Sequence, residues 1–295
     1  MLSILVPVFN GEEFIENLIS DLIELNHRIG AELIVINDGS TDSSGDFLKE
    51  YLDDIRYIET ENYGESIAVN RALSEANLEF ALVLSVDDPV PNTEYLISAV
   101  KQLQSDKTLV AVCTDWLCVN KSNDILFEVQ VPIFNRDLMI ANFKCYPGPG
   151  TVFRVESAKM IHGRNSNLKY LGDFDFWIRL SELGQFKVEK GFNAYWRKHG
   201  SSTSVAGNRL EMVQERIAYL KKLSQDFHLT RKLRKLSEFN CLLSCALILV
   251  PKFPIIAFTY LLRAFLKSPK HFLLIVLLRI SSFWSIQRFI RISQK

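Results

Sequence analysis

The first 117 residues alternate short apolar segments with longer amphipathic ones, and this alternation constrains the fold more than any other feature of the chain. Leu2–Val8 is apolar and is followed by Asn10-Gly11, a pattern typical of a buried strand that ends in a turn. Glu12–Leu25 then repeats apolar residues at helical spacing. Strands that alternate with helices of about 10–15 residues predict an α/β fold, with a mostly parallel sheet and helices on both faces.

The same patterns predict the other elements of the chain, until the pattern loosens beyond about Lys121. With 295 residues, 48% of them hydrophobic, the chain can bury a large core. We expect one domain of about 200–250 residues and an appendage. Further strands are predicted at Glu32–Asn37, Arg56–Glu59, Phe80–Ser85 and Leu109–Leu117, and helices at Thr41–Leu52, Ser66–Ala76, Thr93–Gln104, Asp173–Leu183 and Asn208–Ser224.

The last quarter of the chain differs in charge from the rest. Residues 221–295 contain 14 Lys and Arg against two acidic residues, whereas residues 1–220 contain 20 basic and 32 acidic residues. Such asymmetry favours a polyanionic surface as partner of the basic region, and the neutral total gives no general attraction to nucleic acid. We therefore predict two parts, residues 1–220 and residues 221–295.

The basic region also contains three apolar runs, at Cys241–Val250, Ile255–Leu262 and Phe272–Leu278. Pro251 and Pro254 interrupt them before they reach the roughly 20 residues that a spanning helix needs. Short apolar runs punctuated by Lys and Arg predict helices that lie in the interface of an anionic membrane. A helical appendage packed on the body or on a partner chain, and a span or re-entrant hairpin, are the alternatives.

Cysteine usage indicates the compartment. The five cysteines are odd in number and include no Cys-X-X-Cys pair, which argues against a disulfide framework and favours a reducing environment. Together with the basic region, this predicts a location on the cytoplasmic face of the cell membrane.

Polar residues follow the predicted strands where ligands bind in α/β sheets, at the carboxyl ends. Asp38 comes directly after an apolar strand and could accept hydrogen bonds from a base or ribose. Asp87 and Asp88 follow another strand, and a divalent cation such as Mg²⁺ or Mn²⁺ would relieve the repulsion between them while holding substrate phosphates. Taken alone, the Asp-Asp pair before a proline is more often a turn or a helix cap, and Asp38-Gly39 is usually only a turn.

Four segments in order, SILVPVFNGEEFIENLI, ELIVINDGSTDSS, NYGESIAVNRALSEA and LVLSVDDP, resemble the inverting glycosyltransferases of family 2. The resemblance continues in PGPGTVFRVES, LGDFDFWIRLSELG and RKHGSSTS, and covers residues 1–205. It implies the Rossmann-like GT-A fold and a nucleotide-diphospho-sugar donor. It also implies transfer of one sugar to a hydroxyl of a glycan or lipid-linked acceptor, and by analogy a role in bacterial surface-polysaccharide assembly.

The resemblance also assigns residues to the donor site. Ser85 and Val69 stand where the common family form has Asp and Arg. The metal would be held by Asp87, Asp88 and His199. The nucleotide-sugar site would comprise Val6, Pro7, Val8, Asn10, Asp38, Gly64, Asn70, Asp87, Arg197 and His199.

Asp173 matches the position of the family's catalytic base, with Gly172 where the family usually has Glu. In an inverting displacement, a carboxylate must remove the proton of the acceptor hydroxyl as its oxygen attacks. Local sequence alone equally predicts that Asp173 caps a helix. The acceptor wall would be formed by Gly148, Gly150 and Thr151, a segment that also fits an ordinary loop.

Three other functions were weighed against this interpretation. A nucleotidyltransferase would be expected to show a Gly-rich, basic phosphate loop where this chain has VPVFNGEEF, and a dinucleotide-dependent oxidoreductase would show GxGxxG after a strand. A degenerate glycosyltransferase that serves as membrane-bound partner subunit is the third, because Ser85 and Gly172 depart from the family pattern.

Overall fold

The computed structural model describes residues 2–200 and 206–273, and these residues form two compact units. The first contains the described residues up to Arg136 and from Cys145 to Gly207, and the second contains Asp137–Lys144 and the described residues from Asn208 onward. The boundary predicted at residue 220 falls inside a helix of the second unit, Arg209–Asp226.

The described elements occur in an alternating order through most of the first unit. The strands are β1 (Leu2–Val8), β2 (Glu32–Asp38), β3 (Arg56–Thr60), β4 (Phe80–Val83), β5 (Leu109–Val119), β6 (Ile125–Val129), β7 (Val152–Arg154) and β8 (Gln185–Arg197). The helices are α1 (Ile15–Ile29), α2 (Ser44–Leu48), α3 (Glu65–Glu75), α4 (Thr93–Ser105), α5 (Arg136–Asn142), α6 (Val155–Met160), α7 (Gly172–Leu180), α8 (Arg209–Asp226), α9 (Arg231–Leu249) and α10 (Pro254–Lys267), with a 3₁₀ turn at Lys49–Tyr51.

The strands form one sheet in the order β3-β2-β1-β4-β7-β5-β6, and β8 pairs with β5. Strands β3, β2, β1 and β4 are parallel, and every residue of β1 is buried. This explains why the strands read as continuous apolar runs rather than as alternating ones. The predicted α/β fold with a mostly parallel sheet is confirmed.

The sequence did not predict three strands of the other half of the sheet. β7 has only three residues and lies antiparallel between β4 and β5, and β6 lies antiparallel at the edge with Ile125, Leu126 and Phe127 exposed. β8 runs parallel to β5 for 13 residues with shifts in register. Neither a three-residue strand nor an edge strand with apolar residues facing solvent gives the periodicity on which the prediction depended.

β8 is the strand that brings distant sequence to the end of β4. The N–H of Asn92, the residue before α4, donates to the carbonyl of Asn193 in β8 at 2.8 Å. The last residue of β8, Arg197, donates its own N–H to Asp88, which lies five residues after the end of β4. The carboxyl ends of β4 and β8 are therefore fixed to each other.

The second unit is helical and contains α8, α9 and α10. Phe239 and Leu242 of α9 pack with Ala264 of α10, and the face of α9 that includes Cys241 and Cys245 is also buried. The run Cys241–Val250, which we expected at a membrane interface, thus has one face buried in the core of this unit, while Leu247 and Val250 are exposed. None of the helices in residues 2–200 and 206–273 combines the length and apolar character needed to cross a membrane.

One buried side chain of the first unit ties β7 to its surroundings. Arg154 donates to the carbonyls of Leu103 at 2.7 Å and Leu109 at 3.3 Å, and it pairs with Glu79 at 2.6 Å. Its guanidinium also lies 5.1 Å from the ring centroid of Phe80. The short strand is held in the sheet by these contacts as well as by its ladder.

We expect Arg154→Met to lower the free energy of unfolding by about 2–5 kcal/mol, because two buried carbonyls lose their partners. Urea denaturation followed by tryptophan fluorescence measures this. Arg71→Met is the matched control, since Arg71 is 52% exposed and its pair with Glu75 is a surface salt bridge worth less than about 1 kcal/mol. Equal losses in the two variants would contradict the structural role of Arg154.

Candidate active site

The loops after β1 and β2 are joined by a reciprocal set of hydrogen bonds. Asn10, with a left-handed φ of 52°, accepts the N–H of Thr41 at 2.8 Å and donates its own N–H to Ser40 Oγ at 3.0 Å. The N–H of Gly11 donates to Ser44 Oγ at 2.9 Å. These hydrogen bonds hold the two loops together at the carboxyl ends of β1 and β2, where we expected the nucleotide pocket. Asn10 makes two of the bonds.

The other residues that we expected to line the base pocket are part of β1. Val6, Pro7 and Val8 are buried in the strand, whereas the next residue, Phe9, is 46% exposed. Their side chains support the strand end from inside the core. Phe9 is the exposed apolar side chain at this position, and the sequence prediction passed over it.

Asp38 organises the loop that leads from β3 to α3. Its carboxylate accepts the N–H of Tyr63 at 3.0 Å and the N–H of Gly64 at 2.8 Å, and the side chain is buried. Gly64 has φ 97°, a conformation that L-residues with a side chain rarely adopt. Asp38 and Gly64, both predicted as donor-site residues, thus lie in direct contact and set the start of α3.

The first residue of α3, Glu65, begins a chain of charges that ends at Asp173. Arg164 donates to Glu65 at 2.7 Å with one nitrogen and to Asp173 at 2.5 Å with the other. The Arg164 side chain is only 9% exposed. The Asn70 side chain holds the backbone of Arg164 with two hydrogen bonds. The Arg164 N–H donates to Asn70 Oδ1 at 2.7 Å, and Asn70 Nδ2 donates to the Arg164 carbonyl at 2.7 Å.

Asp173 differs from its neighbours on α7 because it is accessible. Its side chain is 57% exposed, while Phe174, Asp175 and Phe176 are buried. The protein around the carboxyl still removes part of its hydration and raises the pKa of Asp173, and the charge of Glu65 adds to this, while Arg164 lowers it. The sequence alternative of a helix cap is not observed as a side-chain hydrogen bond, because the residue before α7 is Leu171 and no side chain caps there.

Asp175, the other carboxylate of α7, has a structural role. It is buried and accepts from Arg179 Nε at 2.7 Å, and the same guanidinium donates to the carbonyls of Ile161 and Gly163. The ion pair between Asp175 and Arg179 therefore helps to hold the loop before α7 in place.

At the end of β4, Asp87 and Asp88 have different environments. Asp87 Oδ2 lies 2.6 Å from His199 Nε2, whereas Asp88 is buried and its Oδ1 accepts the N–H of Arg197 at 2.7 Å. Burial raises the pKa of the Asp88 carboxyl well above its ordinary value, and the charge of Asp87 raises it further, against the N–H and the charge of Arg197. Asp87 is the more open of the two carboxylates.

Arg197 fixes this arrangement. Its Nε donates to the carbonyl of Asp87 at 2.6 Å and its Nη1 donates to the carbonyl of Lys121 at 2.7 Å. The guanidinium lies 5.3 Å from the ring centroid of Phe14, and the His199 ring lies 5.0 Å from the same ring. We expected Arg197 to face the donor diphosphate, but it is buried and its described contacts hold Asp87 and His199 in place.

Two of the three predicted metal ligands are thus brought together. In residues 2–200 and 206–273, no group of three His, Cys, Asp or Glu side chains is arranged to hold a metal ion. The Asp87–His199 pair presents one carboxylate and one imidazole side by side, a donor set that suits Mn²⁺ or Mg²⁺ when substrate oxygens complete the shell. Asp88, the third predicted ligand, instead accepts the backbone N–H of Arg197.

Glu65 influences both acidic positions. Its charge raises the pKa of Asp88 and also that of Asp173. Neither Glu65 nor Arg164 was predicted as a site residue from the sequence. Their ion pair joins segments about 100 residues apart, so neither segment alone indicates it.

The predicted acceptor wall is shaped by close packing. A side chain at Gly148 would lie 2.7 Å from the indole nitrogen of Trp116, and one at Gly150 would lie 2.5 Å from Ala194 Cβ. Thr151 is buried and its hydroxyl donates to the carbonyl of Gly148 at 2.8 Å. The two glycines let the loop approach β5 and β8, and the Thr151 hydroxyl is directed into the loop rather than outward.

Comparison with known proteins identifies the family of the chain. Residues 3–159 match the family described as Glycosyl transferase family 2. An uncharacterized glycosyltransferase of Rickettsia typhi is 27% identical over 234 residues, which cover 76% of this chain and 73% of that protein. A chondroitin synthase of Pasteurella multocida is 25% identical over 210 residues, or 70% of this chain but only 21% of that protein.

Solved structures share the fold. S. aureus TarS (residues 1–349) in complex with UDP-GlcNAc has a TM-score of 0.62 and 16% identity, with 85% of this chain and 73% of that chain covered. The mannosyltransferase PcManGT from Pyrobaculum calidifontis, in complex with GDP-Man and Mn²⁺, has a TM-score of 0.61 and 17% identity over 97% of this chain and 80% of that chain. Because the family match covers more than half of the sequence, the chain belongs to glycosyl transferase family 2 and is a glycosyltransferase.

Proposed function

We propose that this glycosyltransferase moves one sugar from a nucleotide-diphospho-sugar to a hydroxyl group by a single inverting displacement, with Asp173 as general base. The observation that carries the proposal is the exposure of Asp173 on a helix whose neighbouring residues are buried. A base for direct displacement must be able to reach the acceptor hydroxyl. Of the two carboxylates on α7, Asp173 is 57% exposed, whereas Asp175 is buried and bound to Arg179.

In this mechanism the acceptor oxygen forms the new bond to the anomeric carbon while the bond from that carbon to the diphosphate oxygen breaks. The proton of the acceptor hydroxyl passes to an oxygen of Asp173, and the nucleoside diphosphate leaves with the bonding electrons. Arg164 directs one oxygen of Asp173 and leaves the other for the proton. Its charge also favours the ionised carboxyl and opposes the partial loss of hydration, which raises the pKa of Asp173.

The departing diphosphate requires positive charge, and Arg197 is buried and engaged with backbone carbonyls. Asp87 and His199 would hold a divalent cation, and the cation would neutralise charge that develops on the diphosphate. The complex of the PcManGT structure with GDP-Man and Mn²⁺ supports this assignment. Asp88 and Arg197 keep Asp87 in position.

The acceptor class is a glycan or a lipid-linked sugar. The relatives named chondroitin synthase and hyaluronan synthase support a role in polysaccharide assembly. The alternative of a degenerate partner subunit has no support in these similarities. That alternative was motivated by Ser85 and Gly172, which replace an Asp and a Glu of the common family form. The structure weakens this motivation, since Asp87 still pairs with His199 and Asp173 still pairs with Arg164.

We expect Asp173→Asn to lower kcat about 10²–10⁴-fold, because the amide keeps the size of the side chain but cannot accept the proton. Turnover with a panel of UDP-, GDP- and dTDP-sugars, and donor affinity from thermal shift, give the two readouts. Donor affinity should change little. Asp46→Asn is the control, since Asp46 is 91% exposed. Turnover near the level of that control would exclude Asp173 as the base.

We expect Arg164→Gln to move the acid limb of the kcat/KM profile to higher pH. The base works only when ionised, so activity falls as pH drops through its pKa, and removal of the charge that lowers the pKa of Asp173 shifts that fall upward. Arg164→Lys should restore part of the shift. Arg71→Gln, on the exposed side of α3, should leave the limb in place. A loss of activity with no movement of the limb would mean that Arg164 has only a structural role.

For the cation, we expect Asp87→Asn to raise the Mn²⁺ concentration needed for half-maximal thermal stabilisation by nucleotide at least about tenfold. Asp88→Asn is the matched neighbour, because its amide oxygen can still accept the N–H of Arg197. It should need nearly the same Mn²⁺ as the unaltered protein. The opposite ranking would place the metal on Asp88.

A further inference from the structure

The outer face of α10 is an exposed apolar stripe. The exposed fractions are 84% for Ile255, 65% for Phe258, 48% for Leu262 and 68% for Leu266. At about 100° per residue, these four side chains fall within about 80° of one another around the helix axis. They form a continuous line about 16 Å long. Scattered exposed apolar residues are ordinary on protein surfaces, but an aligned set on one helix marks an interaction surface.

This stripe is not the face by which α10 packs in its own unit. Ala257 and Ala264 are buried, and Ala264 packs against Phe239 and Leu242 of α9. α10 is therefore apolar on both faces, with one face buried and one exposed. Pro254 begins the helix at a position where its missing N–H carries no cost.

The charged residues that α10 and its neighbours in sequence place beside the stripe are basic. Arg263 and Lys267 lie on the flank of the stripe, and Lys252 and Lys270 lie near its two ends. No acidic residue follows Glu238 in the sequence, and Glu238 itself pairs with Lys267. An apolar stripe bordered by cations is complementary to a lipid interface that offers acyl chains below anionic headgroups.

We propose that the face of Ile255, Phe258, Leu262 and Leu266 inserts into the interface of a membrane that contains anionic lipid, with α10 parallel to the membrane plane. A helix of 14 residues is too short to span the hydrocarbon core but fits along its surface. A second copy of the chain fits less well, because pairing of two such stripes would also bring together the basic residues that border them. The inference is independent of donor chemistry.

The test measures binding of the full chain to vesicles by co-sedimentation. Vesicles of phosphatidylcholine with 30% phosphatidylglycerol should bind the protein, and pure phosphatidylcholine should bind it several-fold less. Phe258→Ser with Leu262→Ser should lower the partition coefficient at least about tenfold, since the membrane would lose contact with two apolar side chains. Phe127→Ser with Ile133→Ser is the control, because both residues are exposed in the first unit.

Two further measurements separate the outcomes. Lys252→Gln with Lys270→Gln should reduce binding to the anionic vesicles and leave binding to phosphatidylcholine unchanged. Light scattering should give the same mass for the unaltered chain and the Phe258/Leu262 variant. The proposal is overturned if the full chain ignores anionic vesicles, or if both serine pairs reduce binding equally. It is also overturned if the stripe variant dissociates an oligomer while vesicle binding persists, because the face would then be a contact between copies.

Discussion

The candidate site depends on the contact between the carboxyl ends of β4 and β8. Arg197 donates its N–H to Asp88 and its guanidinium to the carbonyl of Asp87, so one residue fixes two neighbouring acids. A buried carboxylate costs free energy unless it is hydrogen-bonded, and the Arg197 N–H provides that bond for Asp88. Asp87 is then turned toward His199. Without this contact, two adjacent acids after a strand would be an ordinary turn.

The second constraint joins the donor side of the site to the reacting side. Asp38 holds the N–H of Gly64, and the next residue, Glu65, pairs with Arg164. Arg164 in turn pairs with Asp173. A displacement of the loop that Asp38 organises would therefore reach Asp173 through two ionic contacts. If Asp173 is the base, as proposed, these contacts would align it with the loop that Asp38 holds.

The sequence was sufficient for the parallel half of the sheet because burial on both faces gives β1, β2 and β4 long apolar runs. It was insufficient for β7 and β8, whose places depend on pairing with β5 rather than on their own pattern. Helix α1 begins at Ile15, three residues after the predicted Glu12, because Glu12 is engaged with the β2 loop.

The same distinction holds for the site. Asp38, Asp87, His199 and Asp173 were predicted as site residues because each belongs to a local motif, and the structure places them at strand ends or at a helix start. Arg164 was not predicted, because its two acidic partners, Glu65 and Asp173, are distant from each other in sequence. For Arg197, only the fold reveals that its guanidinium is directed to backbone carbonyls rather than to solvent.

We propose that one carboxylate, Asp173, serves a single displacement at the anomeric carbon, and the anomeric configuration of the product tests this. With the donor identified from the nucleotide-sugar panel, proton NMR of the product formed in the first turnovers gives the configuration from the coupling constant of the anomeric proton. A single displacement gives a configuration opposite to that of the donor. Retention of the donor configuration would exclude it, because retention requires a second displacement or a different mechanism.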